Sequence, residues 1–266
     1  IDEAGRGPVL GPMIYAAYYL PSTLEHPLLR TTHAVTDSKA LTPSARAAFM
    51  RAQHTPDSPL AHSAGWAVRV LSARDIGAAQ LRARGAENLN AQARTATVGL
   101  VRGVLARGVR VEAIFVDTVG PAEGHARALE RELPGVRVSV AAKAESRWPC
   151  VAAASVCAKE TRDAALGVLG EAWGGDWGSG YPGDARCKGW MRGAMDPVFG
   201  WGPECRFSWG TAKEMLEVGG GAWRVEWPEE EDDDNMRLTG FLVGAEDERG
   251  DELATWYGRR TTGGVF

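Results

Sequence analysis

No stretch of about 18 consecutive apolar residues occurs in this 266-residue chain, which excludes a membrane-spanning helix. No basic-then-apolar segment opens it, so no secretion signal is visible and no membrane association is expected. Cysteine is scarce. The four present (Cys150, Cys157, Cys187, Cys205) make no C-x-x-C pair, and the five histidines show no ligand spacing near them. Neither a structural zinc nor a disulfide framework is therefore expected, and a reducing intracellular compartment, cytosol or nucleus, is. There is no internal repeat. The initiator Met is also missing: the chain opens on Ile1, as a trimmed or partial sequence would.

What is present is ordinary globular composition, 44% hydrophobic and 24% charged, in a length that suits one large domain with an appendage. The net charge of −4 argues at first against a polyanionic partner, but the charge is unevenly spread. Residues 226–266 hold 12 acidic and 4 basic residues, a net of −8, which leaves 22 acidic and 26 basic residues, +4, in 1–225. A mildly basic body with an acidic tail can still bind a polyanion. The six consecutive acids from Glu229 to Asp234 read as a solvated linker.

Local patterns predict strands alternating with helices. Leu10 to Leu20, after the Gly7-Pro8 turn, reads as a strand paired back onto the opening segment, and Leu60 to Leu71 as another. Thr42-Pro43 signals an N-cap with proline at the first helical position, for a helix through Met50. Asn88 caps a helix to Arg107 with Val98, Val101, Val104 and Leu105 as its apolar stripe. Val109 to Val116 is a strand ending at Asp117, Gly120-Pro121 precedes a helix, and Val136 to Ala141 is a short strand. Pro149 opens an alanine-rich helix through Leu169. This order implies a mixed sheet with helices on both faces.

Four carboxylates stand out. Asp2 and Glu3 are adjacent at the end of the opening strand, where the turn at Gly5 would let both converge. Asp117 lies at the carboxyl end of a buried strand, the usual ligand edge of an open α/β sheet. Asp163 lies on the alanine-rich helix in line with Lys159 and Ser155. There it is either a site residue or half of a Lys159–Asp163 surface pair. Together they would form an oxygen-rich pocket. Such a pocket needs a hard divalent cation to offset mutual repulsion, and two ions could activate water at a phosphodiester. Gly5-Arg6-Gly7 is not a nucleotide loop, because no Gly-Lys-Ser/Thr follows and Pro8 leads into a strand. Its glycines suit close approach to a sugar, where main-chain groups can read a 2′-hydroxyl. Tyr181, between Gly180 and Pro182, is presented either to stack on a nucleotide or to cap a cluster with Trp177 or Trp190.

The Asp2-Glu3-Ala4-Gly5-Arg6-Gly7 motif resembles that of the type 2 ribonucleases H, the ribonuclease HII family, in its eukaryotic catalytic subunits. Further blocks follow in the same order: Asp37-Ser38-Lys39, Asn88-Leu89-Asn90, Phe115 to Gly120, Ala152 to Asp163, Gly178-Ser179-Gly180-Tyr181-Pro182, and Phe207-Ser208-Trp209 with Thr211. The resemblance covers about 1–217. It implies an α/β RNase H-like catalytic domain over 1–217 and a C-terminal extension, 218–266, that docks on partners. The implied activity is hydrolysis of RNA in RNA–DNA hybrids and incision 5′ of single ribonucleotides embedded in duplex DNA. Two Mg²⁺ or Mn²⁺ ions would act, leaving 5′-phosphate and 3′-hydroxyl ends, in the removal of ribonucleotides and RNA primers in the nucleus. Two non-catalytic subunits would complete a heterotrimer. The resemblance maps catalysis and metal binding onto Asp2, Glu3, Asp117 and Asp163. Substrate contacts fall to Gly5, Arg6, Gly7, Lys39, Asn88, Ser155, Lys159 and Tyr181. Two departures, Ala93 where Ser is usual and Glu145 where Asp is usual, are expected to leave the chemistry untouched. A hybrid-binding module would lack some of the acids, and a resolvase or type 1 enzyme would lack the Gly-Arg-Gly and Gly-Tyr-Pro pairing.

Overall fold

Apolar residues on alternate sides of one central strand organise the fold of the computed structural model. It describes residues 1–218, except 36–39, 83 and 119–120, and also Trp227. Residues 1–228 form one compact unit; 229–266, with the acidic run, lie outside the described residues. The elements run β1 (Asp2–Ala4), β2 (Met13–Tyr19), α1 (Ser22–Leu24, continued as π-helix over Glu25–Thr32), α2 (Pro43–Ala52), α3 (Pro59–Ser63) and β3 (Gly65–Leu71). Then come α4 (Ala73–Gln80), α5 (Leu89–Ala106), β4 (Ala113–Asp117), α6 (Ala122–Glu132), β5 (Arg137–Ala141), α7 (Pro149–Trp173), α8 (Ala185–Ala194) and α9 (Gly210–Val218). No helix among the described residues is long and apolar enough to cross a membrane.

β2 pairs antiparallel with β1 and β3, and β4 pairs parallel with β5. The Ile1 nitrogen donates to the Phe115 carbonyl (2.7 Å) and Asp117 N–H donates to the Ile1 carbonyl (3.0 Å). These bonds set β1 beside β4, so that the three-stranded sheet β3-β2-β1 adjoins the two-stranded sheet β4-β5. Ile14, Ala16 and Tyr18 of β2 face α7, whose Ala152, Ala153, Ala154 and Ala158 are fully buried and let the helix lie close to the sheet. Met13, Tyr15 and Ala17 face the other way, onto Ala93, Ala96 and Val101 of α5 and Leu129 of α6. A third cluster joins Val9 and Leu10, just before β2, to Trp177, Met191 of α8 and Ala212 of α9. Each fully buried aliphatic side chain here stabilises by roughly 1.5–3 kcal/mol.

Most predicted elements are found, with three revisions. Leu60 to Ser63 is not strand: Ser58 Oγ accepts from Leu60 N–H and Pro59 occupies the first turn, so a short helix precedes β3. The strand before Asp117 starts at Ala113, not Val109. Leu105 leaves the predicted stripe of α5 and is 38% exposed, while Val98, Val101 and Val104 are buried.

Candidate active site

The start of β1 lies beside the carboxyl end of β4, so Asp2 and Asp117 meet. The third partner is Glu145, which the sequence marks only as a neutral departure. One carboxylate oxygen each from Asp2, Asp117 and Glu145 lie within 4.8 Å of one another. Glu145 arrives there because the chain turns sharply after β5. Lys143 takes a left-handed conformation (φ 55°, ψ 42°), and a single 3₁₀ turn over Ala144–Ser146 follows. The same turn aims Ala144 N–H at Asp117 Oδ1 (2.7 Å).

Asp2 is buried and accepts from Glu3 N–H (2.7 Å) and from the Ser155 hydroxyl of α7. Burial, followed among the raising influences by the neighbouring Asp117 charge, lifts its carboxyl to about 7 against the Ser155 bond. Glu3 stands beside the group. Burial and then the Asp2 charge push its carboxyl up to about 8, opposed by Arg6. Buried carboxylates that hold protons near neutrality, with oxygen donors and neither His nor Cys among them, fit a hard divalent cation.

Asp163, the predicted fourth ligand, is not among these three carboxylates. Lys159 Nζ holds both of its oxygens, at 2.6 and 2.8 Å, and Arg46 Nη2 lies 3.9 Å away. One turn of α7 separates Lys159 from Asp163, so the i,i+4 pair satisfies itself and the carboxylate stays 40% exposed. Of the polar stripe predicted along this helix, Ser155 alone bonds to the carboxylate group.

The Gly5-Arg6-Gly7 loop is held from behind by residues that the sequence does not single out. Arg206 is fully buried and donates to the carbonyls of Gly5 (2.6 Å), Arg6 (2.9 Å) and Gly11 (3.0 Å). Its guanidinium lies 4.8 Å from the Trp209 ring, and Trp209 Nε1 donates to the Gly7 carbonyl (2.9 Å). Burial lowers the Arg206 pKa to about 9. The one sequence signal for this role is the position of Arg206 at the head of the Phe207-Ser208-Trp209 block. Gly5 needs to be glycine: its φ is +83°, and a Cβ there would strike the Arg162 side chain and lie 2.7 Å from the Pro12 carbonyl.

Tyr181 is brought to the same loop. A Cβ on Gly7 would lie 3.2 Å from the Tyr181 ring, whose other neighbour is the Arg162 guanidinium, 5.6 Å from the ring centroid. The Gly180 carbonyl accepts from Val9 and Leu10 N–H, which fixes the tyrosine loop to the glycine loop. Tyr181 remains exposed, and Trp177 and Trp190 pair with each other at 5.0 Å. Arg6 donates to Asn90 Oδ1 (2.6 Å), while Asn88 caps α5 by accepting from Ala91 N–H (2.9 Å). Lys39 lies outside the described residues.

Comparison with known proteins agrees with this arrangement. The ribonuclease HII family model matches residues 1–212. The A subunit of ribonuclease H2 from Neurospora crassa is 50% identical over 263 residues, 97% of this chain and 83% of the relative. Its Homo sapiens counterpart is 41% identical over 228 residues, 82% of this chain and 72% of the relative. The crystal structure of ribonuclease H2 from Pyrococcus horikoshii superposes with a TM-score of 0.67 at 28% identity, covering 81% of this chain and 95% of that one. A buried carboxylate group at the ends of β1 and β4, a rigid glycine loop beside it and this match together place the chain in the ribonuclease HII family, as a ribonuclease H and a metal-dependent nuclease.

Proposed function

We propose that this ribonuclease H cleaves the RNA strand of RNA–DNA hybrids and incises 5′ of a single ribonucleotide embedded in duplex DNA. The observation that carries the reading is the glycine loop fixed beside the carboxylates. Arg206 and Trp209 take the carbonyls of Gly5, Arg6 and Gly7. A trans peptide points its N–H opposite its C=O, so the amides of Arg6 and Gly7 turn outward, where a 2′-hydroxyl would meet them.

Asp2, Glu3, Asp117 and Glu145 would hold two Mg²⁺ or Mn²⁺ ions. Bound there, the ions supply the positive charge that activates water and stabilises the leaving oxygen of the phosphodiester, leaving 5′-phosphate and 3′-hydroxyl ends. The chain's own residues orient the reaction. Ala144 N–H and the Ser155 hydroxyl fix the carboxylates of Asp117 and Asp2. The loop amides place the ribose, and the Tyr181 ring packs on the adjacent deoxyribose, where a second 2′-hydroxyl would fit poorly.

The naming of the relatives as one lettered component of ribonuclease H2 supports work in a larger assembly, with two non-catalytic subunits. Exposed Phe199 (79%) and Val218 (86%) support a protein-binding surface; Phe199 lines a cavity of about 590 Å³ with Leu81, Phe207, Leu216 and Trp227. Such an enzyme would act in the nucleus, in ribonucleotide and primer removal. The test is incision of a duplex with one ribonucleotide, with and without Mg²⁺ and the partner subunits. Metal-dependent cutting 5′ of the ribonucleotide is the expected result, and no cutting by the assembled enzyme in Mg²⁺ would overturn the reading.

A further inference from the structure

Beside the carboxylate group, on the α5–α6 side of the glycine loop, cationic side chains gather with few acids to balance them. Arg6 reaches across to α5 and donates to Asn90 Oδ1 at 2.6 Å. One turn further along the same helix, at i+4 from Asn90, Arg94 stands on the same face and is exposed. His125 of α6, the helix packed against α5, lies close to both guanidiniums: burial, then Arg94, then Arg6 hold its imidazole below the ordinary value. Its Nε2 is enclosed and makes no hydrogen bond. Among the described residues neither Arg6 nor Arg94 enters an ion pair, although the Arg6 charge does act on the Glu3 carboxylate beside the reaction centre.

Some other surface arginines of this chain have acidic partners. Arg82, Arg102, Arg110 and Arg127 each pair with a glutamate nearby in sequence or in space. Arg6 and Arg94 instead act together on one imidazole with no ion pair of their own, and like charges brought together in this way favour a bound anion. Asn90 fixes the direction of the Arg6 guanidinium. The imidazole, kept neutral by its position, adds bulk and no charge, so the positive charge of the site comes from the two arginines.

We propose that Arg6 and Arg94, backed by His125, form a clamp for one backbone phosphate of the bound nucleic-acid duplex, beside the carboxylate group and distinct from it. The proposal rests on the hybrid-binding reading and adds to it the anchor that sets the duplex in register with the cutting site. Guanidinium is suited to this, since its planar fork meets two phosphate oxygens at once. A contact of this kind carries no information about the sugar. It acts alike on a continuous hybrid and on a lone ribonucleotide.

The experiment measures the Kd of a fluorescent RNA–DNA hybrid for the full chain assembled with its partner subunits, in chelator so that the strand stays intact, across a salt series. Neutralising one phosphate contact removes about 0.9 from the slope of log K against log salt. Arg94→Ala should raise Kd several-fold at about 50 mM salt, and that factor should shrink roughly threefold by about 200 mM. Arg94→Lys should restore the slope, because it keeps the charge. Arg107→Ala, an exposed arginine at the far end of α5, is the control and should leave the slope unchanged. The losses should match on hybrid and on duplex with one ribonucleotide. A wild-type slope in Arg94→Ala, or a loss no larger than that of Arg107→Ala, would overturn the clamp while wild-type binding and cutting left the functional reading standing. A wild-type enzyme that neither binds nor cuts the hybrid would overturn both.

Discussion

At the scale of single residues, the site turns on carboxyl groups held out of water. Asp2 and Glu3, raised to about 7 and about 8, bind more protons folded than unfolded. The sign follows from linkage: their stabilising contribution is complete below about pH 4 and is lost as pH rises through the folded values. Without metal, Tm should fall between about pH 5 and 8, and Mg²⁺ should reverse the fall most strongly at the upper end. A metal-free Tm flat across that window would contradict the burial assigned to them. Asp2 and Asp117 were legible from the sequence because each lies at a strand terminus, Asp2 opening β1 beside the Gly5 turn and Asp117 closing β4. Glu145 was not, since its place depends on the left-handed Lys143 and on the tight turn after β5, neither of which leaves a periodic signal. The placement of Asp163 was not legible either: an i,i+4 Lys–Asp pair on a helix has the same spacing whether it faces a site or only itself.

At the scale of elements, the glycine loop and the tyrosine loop behave as one piece, joined through Gly180 and backed by Arg206. Gly5→Ser should lower kcat/KM on both a hybrid and a lone-ribonucleotide duplex. It adds a left-handed strain of roughly 1–2 kcal/mol and a clash with Arg162. Tyr181→Ala should lower incision at a lone ribonucleotide more than cleavage within continuous RNA, a difference read directly from kcat/KM on the two substrates. Equal losses would reduce Tyr181 to a packing residue. Arg206→Ala leaves three carbonyls without their donor and should destabilise by at least about 3 kcal/mol, measured by denaturant unfolding. The helices capped by Thr42 and Asn88 were legible, because a capping side chain followed by an apolar stripe is local information. The support from Arg206 was not, because it joins positions some 200 residues apart.

At the scale of the whole molecule, charge is unevenly divided along the chain. The body, 1–225, is net +4 and residues 226–266 are net −8. Removing 229–266 should weaken assembly with partner subunits while leaving the salt slope of substrate binding nearly unchanged; a much shallower slope would show the tail on phosphates. The mixed sheet was readable as a class from the alternation of strands and helices, whereas the union of β1 with β4 rests on one backbone bond that Ile1 donates and one that it accepts, which no pattern announces. That union brings Asp2 to Asp117, and the proposed metal set takes Glu145 rather than Asp163. The most direct measurement is metal-dependent incision of a single-ribonucleotide duplex by the assembled enzyme carrying Glu145→Gln or Asp163→Asn. Glu145→Gln should lower kcat by more than the roughly 10–100-fold typical of outer-shell partners, with Asp163→Asn remaining within about tenfold of wild type. Near-wild-type turnover in Glu145→Gln, with collapse in Asp163→Asn, would contradict it.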